Sequence, residues 1–466
     1  MLFSSIPFLF FFLPLTVAVY FAAPKKLKNS ALLLFSLVFY GWGEPKYLLL
    51  MLFSITQGYV FGLLIEKYRE KGRSKIFLTA SVLISLLLLG YCKYADFFIG
   101  SFNSVTGLSV KLLNVALPIG ISFYTFQILS YVIDVYRRDV PAQKNYINLA
   151  LYISMFPQLI AGPIVRYCDI APQLEKRTHS LENAASGIER FTVGLSKKIL
   201  IANVLAQLVS AFKESGEKSV LFFWLYAIAC MLQIYFDFSG YSDMAIGLGK
   251  IFGFHFSENF NYPYISASIT EFWRRWHISL GTWFRDYLYI PLGGNRVSKP
   301  RLFFNIFVVW LATGIWHGAA WNFVLWGLMY AVLLVLEKFI LLKGLEKLKV
   351  LSRIYTLLFV LLGFVIFDAE SVKAAFETIK AMFGFGGIPF STGETLYYLK
   401  SFAVLLVLAV IGSTPLVKNL FERFKKIGGA EKVLSVLQPL GVVVLLAVCT
   451  AYLVDGSFNP FLYFRF

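Results

Sequence analysis

Residues 219–247 read SVLFFWLYAIACMLQIYFDFSGYSDMAIG, an apolar run with two carboxylates, Asp237 and Asp243, and no lysine or arginine. A helix needs about 20 such residues to cross the hydrocarbon core of a bilayer, and this run supplies them. Ionisable groups at membrane depth are costly to desolvate and tend to be functional or paired. The two carboxylates are six residues apart, too far to share one helical face closely, so they are a weak signature for proton-coupled transport. Bonds from Asp237 or Asp243 to a neighbouring helix, or to an imidazole, are the more economical reading.

Comparable apolar runs recur on both sides, at 5–23, 30–43, 47–65, 75–92, 117–136, 147–164, 188–210, 302–317, 320–341, 353–367, 397–415 and 437–454. The 30–43 run is short, and the 147–164 run carries Pro157, Gly162 and Pro163, so some of these runs are partial or re-entrant. About 11 true spans are expected, in one all-α integral-membrane bundle covering 1–466 as a single domain. Composition agrees: the chain is 58% hydrophobic and 15% charged, with a mean hydropathy of +0.70. A soluble domain carries about 25% charged residues, so most of this exterior faces lipid.

The net charge of +17 does not indicate nucleic-acid binding, because the charge sits in short clusters between apolar runs. Lys25–Lys28, Glu66–Lys75, Arg137–Lys144, Lys343–Arg353 and Lys418–Lys432 concentrate lysine and arginine, as cytoplasmic loops beside anionic lipid do. The more acidic 368–396 segment reads as external, and alternation puts the tail 455–466 outside as well. Residues 1–23 lack a basic leader and are followed by Lys25, Lys26 and Lys28, which fits a retained first span rather than a signal peptide. Cys92, Cys168, Cys230 and Cys449 show neither metal-ligand spacing nor a disulfide framework, and no metal is expected.

Residues 262–301 differ from the spans. They mix aromatics with Arg274, Arg275, Arg285, Arg296 and Arg301. Ser268 and Glu271 have capping-box spacing, and Pro291, Gly293 and Gly294 supply a stop. An amphipathic helix between them would set Phe272, Trp276, Leu280, Phe284 and Tyr287 on one side, lying in the cytoplasmic interface or dipping into the bundle. Trp273, Trp276, Trp283, Trp310, Trp316, Trp321 and Trp326, seven of the nine tryptophans, fall in this segment and the next two runs, which marks the specialised part of the chain.

The chain has four histidines. His179, in EKRTHS, reads as a solvated surface residue, and His255, in GFHF, as an interfacial or packing one. His277 lies in WRRWHISL and His317 in TGIWHGAAWNF, deep in an apolar run. A helix contact is the bland explanation for an intramembrane histidine. Around His317, however, Gly314, Gly318, Ala319 and Ala320 strip bulk from one side and permit close approach of backbone or substrate. A neutral imidazole is the usual general base for a hydroxyl. There is no G-x-S-x-G elbow and no convincing Ser/Cys–His–Asp arrangement, so an oxygen nucleophile brought in by an acceptor fits better than a serine acyl-enzyme.

These blocks carry a resemblance that runs nearly end to end. MLFSS at the start, ALPIGISFYTFQ at 116–127, SYVIDVY at 130–136, FPQLIAGPIVRY at 156–167, FDFSGYSDMAIGLG at 236–249, the 258–296 segment and TGIWHGAAWNFVLWG at 313–327 resemble the membrane-bound O-acyltransferase family. The likeness is to its bacterial branch that contains the alginate O-acetylation membrane protein. After about residue 330 the likeness is mainly one of hydrophobic pattern.

The resemblance implies an inner-membrane O-acetyltransferase acting toward an exported cell-surface polysaccharide. It places His317 as the essential histidine of a central tunnel and His277 as a second polar site that positions or polarises the donor. Acetyl-CoA is then the donor substrate, with no permanently bound cofactor, and a separate extracytoplasmic O-acetyltransferase is the partner. Arg274, Arg275 and Arg285 are candidates for the phosphates of coenzyme A, against the alternative of lipid-headgroup anchoring. The terminus FLYFRF, residues 461–466, is similar to an F-x-Y-x-x-F ending in which the tyrosine carries acyl groups transiently. Tyr463 is therefore a candidate relay, against the alternative of an interfacial aromatic anchor. Two other functions stay open: D-alanyl transfer to teichoic acid within the same superfamily, and a polytopic transporter, for which the chain shows no internal repeat.

Overall fold

The structure is a computed structural model that describes residues 1–456; the candidate relay Tyr463 lies outside the described residues. Among these the regular structure is entirely helical, with no strand. Eight helices are long and apolar enough to cross a bilayer: Pro45–Lys67, Ser74–Thr106, Leu181–Glu214, Val220–Ile251, Trp321–Lys347, Lys349–Asp368, Gly393–Gly412 and Ala430–Asp455. The 30–43 run folds as the 16-residue helix Lys28–Gly43, about 24 Å at 1.5 Å per residue. The 147–164 run breaks into Tyr146–Ser154 and the single turn Phe156–Leu159, with Met155 outside the helical region between them (φ −55°, ψ 112°).

The chain forms two compact units, residues 1–191 with 244–257, and residues 192–243 with 258–466. In the first, the helix Leu48–Lys67 carries Gly58 and Gly62 four residues apart, a spacing that lets apolar helices approach closely. Ile128 and Tyr131 of the helix Ile121–Arg137 fill the space, and a Cβ on Gly62 would stand 2.5 Å from the Tyr131 hydroxyl. Gln57 adds a polar clasp: its amide donates to Ser85 Oγ at 3.0 Å and accepts from Ser81 Oγ at 3.0 Å. Tyr20, fully buried, donates to the Phe252 carbonyl at 3.0 Å, and Arg177 Nε also reaches that carbonyl at 3.1 Å. His179 is exposed, as its charged loop suggested, yet its Nε2 lies 2.8 Å from the Tyr20 hydroxyl.

In the second unit a helical hairpin positions the site. Lys299–His317 and Trp321–Leu336 pack through Gly314 and Gly327; a Cβ on Gly314 would stand 2.5 Å from the Phe323 carbonyl oxygen. The small residues around His317 thus serve backbone approach between these helices. Asn322 holds the next helix, donating to the Ala369 carbonyl at 2.9 Å just beyond Lys349–Asp368. Helix ends leave such carbonyls without intrahelical partners.

The two carboxylates of the 219–247 run bond a neighbouring helix through lysines. Asp237 pairs with Lys198 at 2.5 Å, both buried, and Asp243 with Lys197 at 2.6 Å. The lysines open a π-helical turn, Lys197–Ala202, between Leu181–Ser196 and Asn203–Glu214.

Residues 262–301 are not one amphipathic helix. The helix Ile269–Arg275 stops, Trp276 is extended, and His277 takes the left-handed conformation (φ 45°, ψ 53°) before Ile278–Phe284 begins. The capping expectation holds in its first half: Ser268 Oγ accepts from Glu271 N at 3.0 Å. The return bond lands one residue earlier, from Ala267 N to Glu271 Oε2 at 2.9 Å. The stop falls at Pro291–Gly294, where Gly293 and Gly294 both have positive φ.

Candidate active site

The break at His277 is built by residues distant in sequence. Left-handed backbone is unfavourable for a residue with a Cβ, so local bonding must hold it. Ile278 N donates to the Asn259 carbonyl at 3.0 Å, and Asn261 N to the Arg275 carbonyl at 2.9 Å. The Asn259 side chain, 1% exposed, accepts from Ser279 N at 3.2 Å and from Ser279 Oγ at 2.9 Å, and it lies 3.2 Å from His277 Nδ1. Its Nδ2 donates to Ser242 Oγ at 3.0 Å. A second clamp comes from Glu337, fully buried, whose carboxylate accepts from Ile269 N at 2.5 Å and Thr270 N at 2.9 Å. That satisfies the first donors of the helix leading to His277.

His277 forms part of the wall of a cavity of about 690 Å³. The wall also includes Trp273, Trp310 and Thr313, with the cations Arg274, Arg285 and Lys338 and the phenol of Tyr289. Trp273 and Trp310 meet edge to face with centroids 4.7 Å apart, and the three cations are among the exposed members of the lining. Lys338 and Tyr289 both donate to Asn295 Oδ1, at 2.7 and 2.6 Å. The His277 ring is 2% exposed and stands edge-on to Phe238 at 4.7 Å. Its segment is not a span, and burial alone pushes its pKa down to about 3, because desolvation penalises the imidazolium.

His317 closes the helix Lys299–His317 and is 7% exposed. Trp326 at 4.9 Å and Phe367 at 5.2 Å meet its ring edge to face. Trp316 touches both imidazoles, with centroids 5.0 Å from His317 and 6.3 Å from His277. His277, Arg274 and Arg285 therefore share one cavity, and His317 joins them through Trp316. Arg275 does not line it: its guanidinium is held by Glu271 at 2.8 Å and by the Asn261 carbonyl at 3.1 Å. Arg285 lines it and is paired with Asp286, through Nε at 2.7 Å and Nη2 at 3.2 Å.

A profile of the membrane-bound O-acyltransferase family matches residues 140–372, a range containing the cavity and both histidines. Over 392 residues the chain is 45% identical to the probable alginate O-acetylase AlgI of Azotobacter vinelandii, covering 83% of this chain and 79% of that one. The chain belongs to the membrane-bound O-acyltransferase family. It is also 34% identical over 429 residues to the peptidoglycan O-acetyltransferase of Helicobacter pylori, covering 83% and 81% of the two chains. To the teichoic acid D-alanyltransferase of Bacillus subtilis it is 29% identical over 325 residues, covering 65% and 80%. As a membrane-bound O-acyltransferase it is an enzyme and a multi-pass membrane protein with bacterial relatives.

Sequence reasoning missed four residues of this acyltransferase's framework. Lys198 carried a signal, a lysine inside the 188–210 run, where a buried cation implies a carboxylate partner. Glu337 carried the same kind of signal at the end of the 320–341 run. Lys338, beside it in the same run, carried that signal too. Asn259 carried none, since Pro263 and the irregular chain between Ile251 and Ile269 break any helical register between it and His277.

Proposed function

We propose that this chain transfers acetyl from cytoplasmic acetyl-CoA toward an exported polysaccharide, and that the cavity beside His277 receives the donor. The observation that carries this reading is the cavity itself. Arg274, Arg285 and Lys338 offer cations to the phosphates of coenzyme A, while the aromatic wall leads inward to His277 and, past Trp316, to His317. Guanidinium and ammonium groups are the usual partners of phosphate. The similarity to probable alginate O-acetylases and to a peptidoglycan O-acetyltransferase supports acetyl as the group and a polysaccharide as the final acceptor.

In this reading about 11 spans form around a tunnel, counting shorter and less apolar helices such as Lys28–Gly43, Ile121–Arg137 and Lys299–His317 with the eight. The 262–301 segment is re-entrant from the cytoplasmic side of the inner membrane. His317 takes the proton of an attacking hydroxyl as its oxygen bonds to the acetyl carbon. The C–S bond breaks, and the proton passes to the departing thiolate, so free coenzyme A leaves. The hydroxyl is that of Tyr463, whose phenol ionises more readily than an aliphatic alcohol. Its ester hands acetyl to a separate extracytoplasmic O-acetyltransferase.

The test is transfer of label from radioactive acetyl-CoA to the purified full-length protein, comparing wild type with His317→Ala, His277→Gln and Tyr463→Phe. Label on the wild type that His317→Ala and Tyr463→Phe abolish supports the relay. Coenzyme A release without protein labelling would remove Tyr463 but keep the donor. Turnover only with a D-alanyl carrier would replace acetyl by the chemistry named for the Bacillus relative.

A further inference from the structure

The geometry points to Asn259 as a positioning residue that fixes His277 in the tautomer protonated at Nδ1, so that Nε2 presents a lone pair to the cavity. The inference rests on the reading of His277 as a residue that touches the acyl donor. Ser279 N is a backbone donor of fixed polarity, and it lies 3.2 Å from Asn259 Oδ1. That bond settles the orientation of the amide, with Oδ1 facing residues 277–279 and Nδ2 facing Ser242 Oγ. A carbonyl oxygen only accepts, so His277 Nδ1 at 3.2 Å is the donor. A neutral imidazole has one N–H, and it is thereby spent at Nδ1. Nε2 is buried without a hydrogen-bond partner on a residue of the cavity wall.

The alternative, an imidazolium with a second N–H at Nε2, is opposed by its surroundings. The ionisable groups of the cavity are the cations Arg274, Arg285 and Lys338 with the phenol of Tyr289. The nearby acids are engaged elsewhere, Asp286 with Arg285 and Asp243 with Lys197. The other rings against His277 are Phe238 and Trp316, with His317 beyond the latter. Burial also disfavours the charged form. A lone pair cannot polarise a thioester carbonyl by donation. The substrate group that His277 meets is therefore an N–H or O–H, such as an amide of the donor's arm or an attacking hydroxyl.

The experiment uses full-length protein labelled with 15N-histidine in lipid nanodiscs, with the His277 signals assigned by their loss in His277→Gln. At neutral pH, Nδ1 is expected protonated and Nε2 bare. Asn259→Leu, which removes the acceptor, should release that preference and lower kcat for acetyl transfer about 10- to 100-fold, the range known for partners that orient metal-bound histidines, with less change in KM. Asn259→Asp keeps an acceptor at the same reach. It should hold the tautomer, retain more activity than Asn259→Leu, and move the acid limb of the pH profile upward, because a carboxylate favours the imidazolium. A wild-type signal protonated at Nε2, or an acid limb unmoved in Asn259→Asp, would overturn the assignment. Full transfer activity in His277→Gln would instead sink the reading of the site and leave the tautomer result standing, so the two failures are distinguishable.

Discussion

Glu337 and Thr270 are joined twice, the carboxylate accepting from both the amide (2.9 Å) and the hydroxyl (2.7 Å) of the threonine. Together with the bond from Ile269 N, this fastens the start of the helix that ends at His277 to the chain just beyond Trp321–Leu336. The cavity wall and the hairpin bearing His317 are thereby tied by one buried side chain.

Glu337→Ala leaves the amides of Ile269 and Thr270 without their acceptor, at about 1–3 kcal/mol for each buried group. Glu337→Gln keeps one carboxamide oxygen and should lose less. Thermal unfolding in detergent reads the order wild type, Gln, Ala; an alanine variant as stable as wild type would show that the clamp is dispensable.

Breaking the Lys198–Asp237 pair from one side leaves a buried charge. Lys198→Met should destabilise by about 3–5 kcal/mol, and adding Asp237→Leu should restore much of the loss, since buried pairs are often replaceable by apolar residues. The check is a double-mutant cycle on thermal or chemical unfolding. Additive losses would argue against the coupling.

If the cavity cations meet phosphates, Arg274→Met and Lys338→Met should each raise KM for acetyl-CoA about 10- to 100-fold, the equivalent of a charged hydrogen bond of about 1.5–3 kcal/mol. Added salt should narrow the gap to wild type by screening the exposed charges. Arg275→Met, whose guanidinium is turned to Glu271, should raise KM much less. Steady-state kinetics at two ionic strengths separates these outcomes.

Acid should weaken the fold through His277. Its ordinary pKa near 6.5 applies in the unfolded chain, whereas burial holds it at about 3 in the folded one. Between these values the unfolded state binds a proton that the folded state does not, so stability is full above about pH 6.5 and falls as pH drops toward 3. The thermal midpoint of wild type should therefore fall more steeply from pH 7 to 5 than that of His277→Gln. Equal slopes would mean that His277 titrates normally.

Much of this was legible because lipid imposes length and composition. The apolar runs at 47–65, 219–247, 353–367 and 397–415 became long helices with little displacement, and the cap at Ser268 formed where its spacing placed it. The histidine blocks could be singled out because ionisable groups in apolar runs stand out. The break at His277 was hidden: residues 269–284 keep helical hydrophobic spacing, and the bonds from Asn259 to Ile278 and Ser279 and from Asn261 to Arg275 oppose a continuous helix. The π-helical turn at Lys197–Ala202 was hidden as well, since it depends on carboxylates about 40 residues ahead.

The first compact unit is assembled from residues 1–191 and a return segment, 244–257. No single cut of the gene can release it whole. A chain ending at Phe191 would lack Phe252, the residue whose carbonyl Tyr20 and Arg177 hold. One beginning at Thr192 would carry that segment without its hosts. Nested deletions would therefore register loss wherever they stop, and a map of the activity has to be drawn with single-residue replacements in the intact polypeptide.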